Sequence, residues 1–192
     1  MTIFNNTRLT NDVFKIDIKR MRKGWYSDKY FENIGAMLST LAEQKYLFNG
    51  KTLRLGDIDL SKTKIGNIEV EMQWFTRRKG KVVVAGVDKA LTVLRHCCGY
   101  FNGNGKFINT WKKMEIEAVQ DGATVTYGGD PMTVQPVLRV RGRYRDFALL
   151  ETPTLGMLTR SSRVATNVYE TLMAANGKPV LFFPARFDLH EV

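Results

Sequence analysis

Two residues near the C-terminal end of the sequence occupy positions typical of a ligand site. Phe183 ends the apolar run Val180-Leu181-Phe182-Phe183, and Arg186 follows three residues later. A run that is apolar on both faces predicts a strand of a parallel sheet, covered on both sides. Ligands bind just beyond the carboxyl ends of such strands. Phe183 and Arg186 are therefore candidate ligand-binding residues, although Phe183 could as readily be a core residue.

A second group of charged residues follows a two-residue period. If the run 136–144 is an extended strand, as its pattern predicts, Arg139, Arg141, Arg143 and Arg145 point to one face. Guanidinium groups on one face repel each other unless water or anions lie between them. This face is therefore either a solvated strand surface or a wall that attracts anionic ligands, and the sequence leaves both interpretations open.

An acid and a tyrosine lie close together near the N-terminus, in the segment Ser27-Asp28-Lys29-Tyr30-Phe31. The apolar residues that follow recur at helical spacing and predict a helix over residues 28–44. Asp28 could simply cap this helix, and Tyr30 could be half-buried packing. Because a capping carboxylate can keep a free lone pair, Asp28 could also cap the helix and bind a ligand at the same time.

The elements that must position these residues predict an α+β fold. Further helices are expected near residues 88–98, 147–160 and 161–175, with Ser161 or Ser162 as the N-cap of the last and Asn176-Gly177 as its stop. At least four strands are expected between residues 68 and 140. Two segments are predicted to lack strands: the basic run 77–81, as a hairpin turn, and 99–113, as a surface insertion.

The chain resembles the nicotinate phosphoribosyltransferases and, more distantly, the nicotinamide and quinolinate enzymes of the same type II fold. The specific part is LLETPTLGMLTRSSRVAT followed by a strand ending FPAR, which includes the Glu151-Thr152 pair. The resemblance implies that Phe183 and Arg186 face the pyridine ring and the anionic groups of the ligands. It also implies that Asp28 and Tyr30 project into the active site of the neighbouring subunit.

Two arginines of the periodic run, Arg139 and Arg143, also resemble arginines of this family. The resemblance thus implies six substrate-binding residues, which are Asp28, Tyr30, Arg139, Arg143, Phe183 and Arg186. It assigns no catalytic residue, and the sequence carries no metal-binding motif of its own. The family's ligands for pyrophosphate and magnesium are expected outside this sequence.

The resemblance implies an N-terminal domain of a type II phosphoribosyltransferase followed by the first strand of an otherwise missing α/β barrel. Residues 1–146 would form the N-terminal α+β domain, and residues 147–192 the helical connection and that first strand. A barrel strand needs parallel neighbours and covering helices. We therefore expect a longer chain, a homodimer or a second polypeptide to complete the fold, and the chain alone to be inactive.

The reaction implied is displacement of pyrophosphate from phosphoribosyl pyrophosphate by nicotinate, giving nicotinate mononucleotide in NAD biosynthesis. Mg²⁺ and ATP are the cofactors that the resemblance implies. Such chemistry depends on positioning and electrostatics rather than on covalent catalysis. The alternatives are a nicotinamide-specific phosphoribosyltransferase and a non-catalytic module that docks onto a separately encoded barrel.

Composition agrees with a globular cytoplasmic protein. The 192 residues are 44% hydrophobic and 25% charged, and no apolar run is long enough to cross a membrane. The adjacent residues Cys97 and Cys98 are poorly placed to bridge each other. The net charge of +10 favours an anionic partner, either a small substrate or nucleic acid. The basic residues are spread along the chain, which makes nucleic acid the weaker candidate.

Overall fold

Helices and strands alternate irregularly in the computed structural model, which describes residues 8–9 and 11–183. The α-helices of this part are α1 (Ile18–Met21), α2 (Lys29–Glu43), α3 (Val87–Cys97) and α4 (Glu151–Ala175). Its strands are β1 (Arg54–Leu55), β2 (Ile58–Asp59), β3 (Glu69–Phe75), β4 (Gly80–Val83), β5 (Gly99–Phe101), β6 (Phe107–Asn109), β7 (Glu115–Ala118), β8 (Thr124–Tyr127) and β9 (Pro136–Arg143). The predicted mixture of helix and sheet is confirmed, as are helices at 28–44 and 88–98.

The strands form small antiparallel sheets. β9 lies between β3 and β7, while β4 pairs with β8, β5 with β6 and β1 with β2. The hairpin turn predicted at 77–81 is wrong, because β3 and β4 belong to different sheets. β3 pairs instead with β9, which sets Glu71 opposite Arg141. Opposite charges facing each other across strands stabilise that pairing.

The segment 99–113 forms a hairpin rather than the predicted surface insertion without strands. β5 and β6 pair through this stretch, and the rings of Phe101 and Phe107 lie 5.3 Å apart. The turn is closed by the Asn102 side chain, which accepts the backbone amides of Asn104 and Lys106. The turn is therefore stabilised by hydrogen bonds of the Asn102 side chain, which the spacing of apolar residues does not predict.

Helix α3 is the centre of the core. Its residues Val87, Ala90, Val93 and Leu94 are fully buried and pack in one cluster with strand residues and Phe147. Gly86 precedes the helix with φ of +91°, and a Cβ there would lie 2.7 Å from the carbonyl oxygen of α4 residue 157. Only glycine fits this close approach. α3 and α4 are therefore held against each other at this point.

Helix α4 is one continuous helix of 25 residues, so the prediction of two helices meeting at 160–161 is wrong. Ser162 does not cap a second helix. Its hydroxyl accepts the amide of Ala85 at 3.0 Å, and the Thr166 hydroxyl accepts that of Val83, also at 3.0 Å. These hydroxyls bind the free backbone where β4 ends, so they fix the helix on the sheet without interrupting it.

The chain forms no strand in the described part that follows α4. Asn176-Gly177 ends the helix, as predicted: Asn176 is in the left-handed region with φ of +46°, and Gly177, the residue expected there, follows with φ of +83°. Residues 178–183 have no strand partner, and Leu181, Phe182 and Phe183 are more than two-thirds exposed. The predicted first barrel strand is therefore not formed here, because an apolar strand needs neighbouring strands to pair with and cover it. Residues 184–192 lie outside the described part.

Candidate ligand-binding site

Three parts of the fold meet where helix α4 begins. The first turns of α2 pack against the 3₁₀ turns Tyr144–Asp146 and Ala148–Leu150, which lead from β9 into α4. Leu149 lies at the centre of this contact, within 4.0 Å of the Cβ positions that Gly24 and Gly35 lack. The start of α2 is thereby held beside the start of α4, which brings together two segments that are more than a hundred residues apart.

Asp28 is the N-cap residue of α2, as predicted, but its carboxylate makes no capping hydrogen bond. Its backbone amide donates instead to the Thr152 hydroxyl at 3.2 Å. That hydroxyl in turn donates to the carboxylate of Glu151 at 3.3 Å. The Asp28 side chain is exposed, so its carboxylate is available to a ligand.

Tyr30 is an exposed residue and Phe31 beside it is the packed one. The Tyr30 side chain is 54% exposed, whereas Phe31 is 7% exposed and belongs to the buried side of α2. Nearly half of the Tyr30 side chain is nevertheless covered, so packing and ligand binding both stay open for this residue. Desolvation, followed by the nearby carboxylates of Glu151 and Asp28, raises the pKa of the Tyr30 phenol. The ring thus stands next to two acids with its surface open.

Glu151 is the half-buried acid of this group. Desolvation, with a smaller contribution from Asp28, raises the pKa of its carboxyl, while the bond from Thr152 acts in the opposite direction. Desolvation and then Tyr30 and Glu151 also raise the pKa of Tyr144. We call Asp28, Tyr30, Tyr144, Glu151 and Thr152 the acid–aromatic cluster. An aromatic face beside carboxylates favours a planar ligand that carries or develops positive charge.

Arg143 precedes Tyr144 of this cluster, and its guanidinium group binds a buried carboxylate of the protein itself. Two of its nitrogens donate to Asp146 Oδ2, at 2.6 and 3.1 Å, and the Asp146 side chain is fully buried. Arg145 lies 3.8 Å from the other oxygen of the same carboxylate. Both guanidinium groups also lie over the ring of Tyr100, at 5.4 and 4.7 Å from its centre. Arg143 therefore compensates a buried charge, and its role in substrate binding stays a prediction.

The arginines further along β9 are paired with acids of the neighbouring strands. Arg139 lies 3.1 Å from Glu117 and 3.9 Å from Glu71, and Arg141 bonds Glu71 and, at 2.7 Å, Glu115. The anions that separate these guanidinium groups are thus the protein's own carboxylates. We call this set the arginine ladder. That Arg139 also binds substrate stays a prediction.

Phe183 follows the C-terminal end of α4 along the chain. The Phe183 side chain is 77% exposed, and Arg186 lies outside the described residues. No ring contact joins Tyr30 to Phe183 within the part of the chain that the structure covers. The stacking of both rings on one pyridine, from two subunits, stays a prediction.

A cavity of about 710 Å³ lies between the end of β3 and the first half of α4. Its floor is apolar and includes Trp74 and Leu158, and polar side chains at its edge include Glu151, Arg77 and Arg163. The sequence did not indicate this cavity. In the sequence Glu151 is distinguished only as one half of the Glu-Thr pair, because its part in the site depends on the packing of α2 against α4.

The described residues contain no metal-binding cluster of His, Cys, Asp or Glu. Mg²⁺ and ATP stay expectations. Cys97 and Cys98 are buried free thiols, and burial raises the pKa of Cys97 to about 11 and that of Cys98 further. The prediction that they do not bridge is confirmed. Across residues 8–9 and 11–183, no helix is long and apolar enough to span a membrane.

Comparison with known proteins gives one family and one fold. Residues 57–162 match the family described as quinolinate phosphoribosyl transferase, N-terminal domain. The crystal structure of nicotinate-nucleotide pyrophosphorylase from Pyrococcus furiosus is similar over 100% of this chain, with a TM-score of 0.58 and 19% identity. The chain covers 36% of that protein. No curated protein matches the chain.

Proposed function

Because the chain belongs to the family of the quinolinate phosphoribosyl transferase N-terminal domain, among the type II phosphoribosyltransferases, we propose that it is part of an enzyme that makes nicotinate mononucleotide. The substrates are phosphoribosyl pyrophosphate and nicotinate, and the product serves NAD biosynthesis. Since the chain spans about a third of its structural relative, the remaining part of the active site comes from further polypeptide.

The reaction converts a neutral ring nitrogen into a cationic one. The nitrogen lone pair forms a bond to the anomeric carbon, the bond from that carbon to pyrophosphate breaks, and its electrons leave with pyrophosphate. Positive charge grows first on the ribosyl carbon and then on the pyridinium ring. Groups that favour positive charge at this position stabilise the transition state more than the substrate.

The observation that carries the proposal is the acid–aromatic cluster. Tyr30 offers an open ring face, and the carboxylates of Asp28 and Glu151 lie close enough to raise the pKa of its phenol. A pyridinium stacked on Tyr30 would be stabilised by the ring quadrupole and by both negative charges. Each of these residues belongs to a segment that resembles the nicotinate enzymes.

The choice of nicotinate rests on the FPAR segment and on the name of the structural relative. Arg186 would bind the carboxylate of nicotinate, which nicotinamide lacks. The arginine ladder adds nothing to this choice, since its guanidinium groups already bind carboxylates. In the completed enzyme, a homodimer or a two-chain complex, Tyr30 of one subunit and Phe183 of another stack on opposite faces of the ring. Mg²⁺ and ATP are the cofactors of the proposal, and the residues that would hold them are expected in the further polypeptide.

The test is a substrate comparison with the complete enzyme, expressed from the full coding region together with any polypeptide that co-purifies. Nicotinate, nicotinamide and quinolinate are each supplied with phosphoribosyl pyrophosphate and Mg²⁺, with and without ATP. Pyrophosphate release and mononucleotide formation are measured. We expect kcat/KM for nicotinate to exceed that for nicotinamide by about tenfold or more, because a site that binds a carboxylate rejects the ligand that lacks it. Quinolinate carries the same ring carboxylate, so its turnover is compared directly with that of nicotinate. Preference for another pyridine would replace nicotinate in the proposal.

A non-catalytic docking module is the second candidate. It is favoured by the exposed apolar residues of the last turns of α4 and the segment after it, namely Leu172, Met173, Leu181, Phe182 and Phe183. Exposed apolar residues that are neighbours along the chain favour an interaction site. Activity of the partner without this chain, together with no loss on Tyr30→Ala in the complex, would favour this candidate over the enzyme.

A further inference from the structure

We propose that Thr152 and Glu151 are positioning residues for Asp28 and Tyr30, which they hold in place through the backbone amide of Asp28. The inference deepens the proposed function and rests on it, since Asp28 and Tyr30 are the substrate-binding residues. Neither Thr152 nor Glu151 needs to touch the ligand. Their role is to fix where α2 begins relative to α4.

The hydrogen bonds run in one direction along this connection. The Thr152 hydroxyl accepts the Asp28 amide at 3.2 Å and donates its single proton to Glu151 Oε2 at 3.3 Å. A hydroxyl has one donor and two acceptor positions. When Glu151 accepts the proton, an oxygen lone pair is left to face the Asp28 amide. Glu151 thus sets the orientation in which Thr152 can hold Asp28.

The hydrogen bond between Thr152 and the Asp28 amide restrains a segment that has little packing of its own. Asp28 supplies no side-chain cap to α2, and the segment 25–30 is largely exposed apart from half-buried Ser27. Before Asp28 the chain is fixed by Leu149, which lies 3.2 Å from the Cβ position that Gly24 lacks, and by Tyr26, whose hydroxyl donates to Asp17 Oδ2 at 3.0 Å. The Thr152 hydroxyl holds it at Asp28. Removing the hydroxyl should release the start of α2 while the packed part of the helix remains.

The released segment carries both ligand-binding residues. Tyr30 is two residues beyond the tethered amide. Its side chain is 54% exposed, and its ring lies 4.1 Å from the neighbouring ring of Phe31. Catalysis by positioning is sensitive to displacements of about 1 Å. Loss of the tether should therefore weaken binding of the pyridine and leave binding of phosphoribosyl pyrophosphate unchanged.

The experiment compares Thr152→Val, Thr152→Ser and Glu151→Gln in the complete enzyme. Valine has the shape of threonine without the hydroxyl, serine restores it, and glutamine keeps an acceptor oxygen without the charge. Thr40→Val is the matched control, because the Thr40 hydroxyl makes only a local bond within α2, to the carbonyl of Ala36. Hydrogen exchange at the Asp28 amide and the KM for each substrate are measured.

We expect Thr152→Val to speed exchange at Asp28 about fivefold, the effect of one lost hydrogen bond, and to raise the KM for the pyridine by a similar factor. Thr152→Ser and Thr40→Val should resemble the wild type in both, and Glu151→Gln should fall between serine and valine. The melting temperature should change little, which separates positioning from unfolding.

Two results would overturn the inference. Unchanged exchange at Asp28 in Thr152→Val would show that no tether exists, whatever the activity. Faster exchange with an unchanged KM for the pyridine, in an active enzyme, would show that the tether does not position the ring site. A wild-type enzyme with no pyridine turnover would instead overturn the proposed function and with it this role, while the exchange data would still decide whether the tether exists.

Discussion

The arginine ladder of β9 and the acid–aromatic cluster at the start of α4 are both rich in groups that could bind a ligand, yet the fold uses them differently. Arg139 and Arg141 each lie beside two carboxylates of the neighbouring strands. In the cluster, Asp28 has no capping bond and Tyr30 is exposed. The ladder is neutralised within the chain, and the cluster keeps free groups.

This difference shows why a periodic run of charge is weak support for a binding site. A strand that places its arginines on one face places them equally well for acids on adjacent strands, since cross-strand neighbours are closest. The residues available to a ligand are those whose charge or ring the fold leaves uncompensated. By this criterion the cluster is the better candidate site, while the described bonds of Arg143 are structural and its role in substrate binding stays a prediction.

The largest expected effect is the loss of stability when Arg143 is replaced, which would show that this arginine serves the fold. Arg143→Gln leaves the fully buried Asp146 carboxylate with only a distant partner, and we expect it to lower the free energy of unfolding by about 3 kcal/mol. Urea unfolding measures this. The double variant with Asp146→Asn should recover most of the loss, and a stable single variant with lost activity would return Arg143 to the binding site.

The second effect concerns the free ring. Tyr30→Ala should lower kcat/KM by well over tenfold in the complete enzyme, because aromatic stacking and the orientation of the ring are both lost. Tyr30→Phe keeps the stacking face and should retain most of the activity. Kinetics are the measurement, with thermal melting of each variant as the control for folding.

Mixing variants tests whether the two rings come from different subunits. Tyr30→Ala and Phe183→Ala protomers should each be impaired alone and should regain part of the activity when mixed, since the heterodimer holds one intact site. If subunits exchange and no activity returns, Tyr30 and Phe183 act within one subunit. Wild-type kcat/KM in both single variants would make them packing residues.

The arginine ladder should contribute little to stability and nothing to activity, and a loss of activity there would contradict the comparison. Arg139→Gln and Arg141→Gln each remove exposed ion pairs of the ladder, so each should lower the free energy of unfolding by about 0.5 kcal/mol. Only Arg139 resembles a family arginine, which makes Arg141 its matched control. A fall in kcat/KM for Arg139→Gln alone, at equal stability, would place part of the ladder in the substrate site.

The smallest effect is the pH dependence of stability that Glu151 contributes. Its raised pKa means that the folded chain holds this proton more tightly than the unfolded chain does. Ionisation of Glu151 therefore destabilises the fold as pH rises from about 4.5 through the folded pKa. The melting temperature of Glu151→Gln relative to wild type should rise over this range, by about 1 °C after allowance for solvent screening. A fall instead would show that the charge stabilises the site.

Sequence patterns predicted the parts of this protein whose structure depends on local periodicity. Helices α2 and α3, strands β3 and β9 and the stop at Asn176 all follow from apolar spacing and turn residues. The N-cap of α2 at Asp28 was also predictable, because only a few residue types, Asp among them, are favoured at the N-cap position. The resemblance carried in short motifs led to the type II phosphoribosyltransferases, which the match over residues 57–162 supports. That match is to the quinolinate family, so the nicotinate enzymes in particular stay a prediction.

Sequence by itself thus determined the class of fold, the helices and strands of strong period, the family, and the residue types of the candidate site. Tertiary structure alone decided which strands pair, that α4 is one helix, and which charges remain free. The physical reason is that these depend on contacts between distant segments: Glu71 neutralises Arg141, Ser162 bonds the end of β4, and Thr152 holds Asp28. Local periodicity contains no record of a partner that lies 124 residues away along the chain.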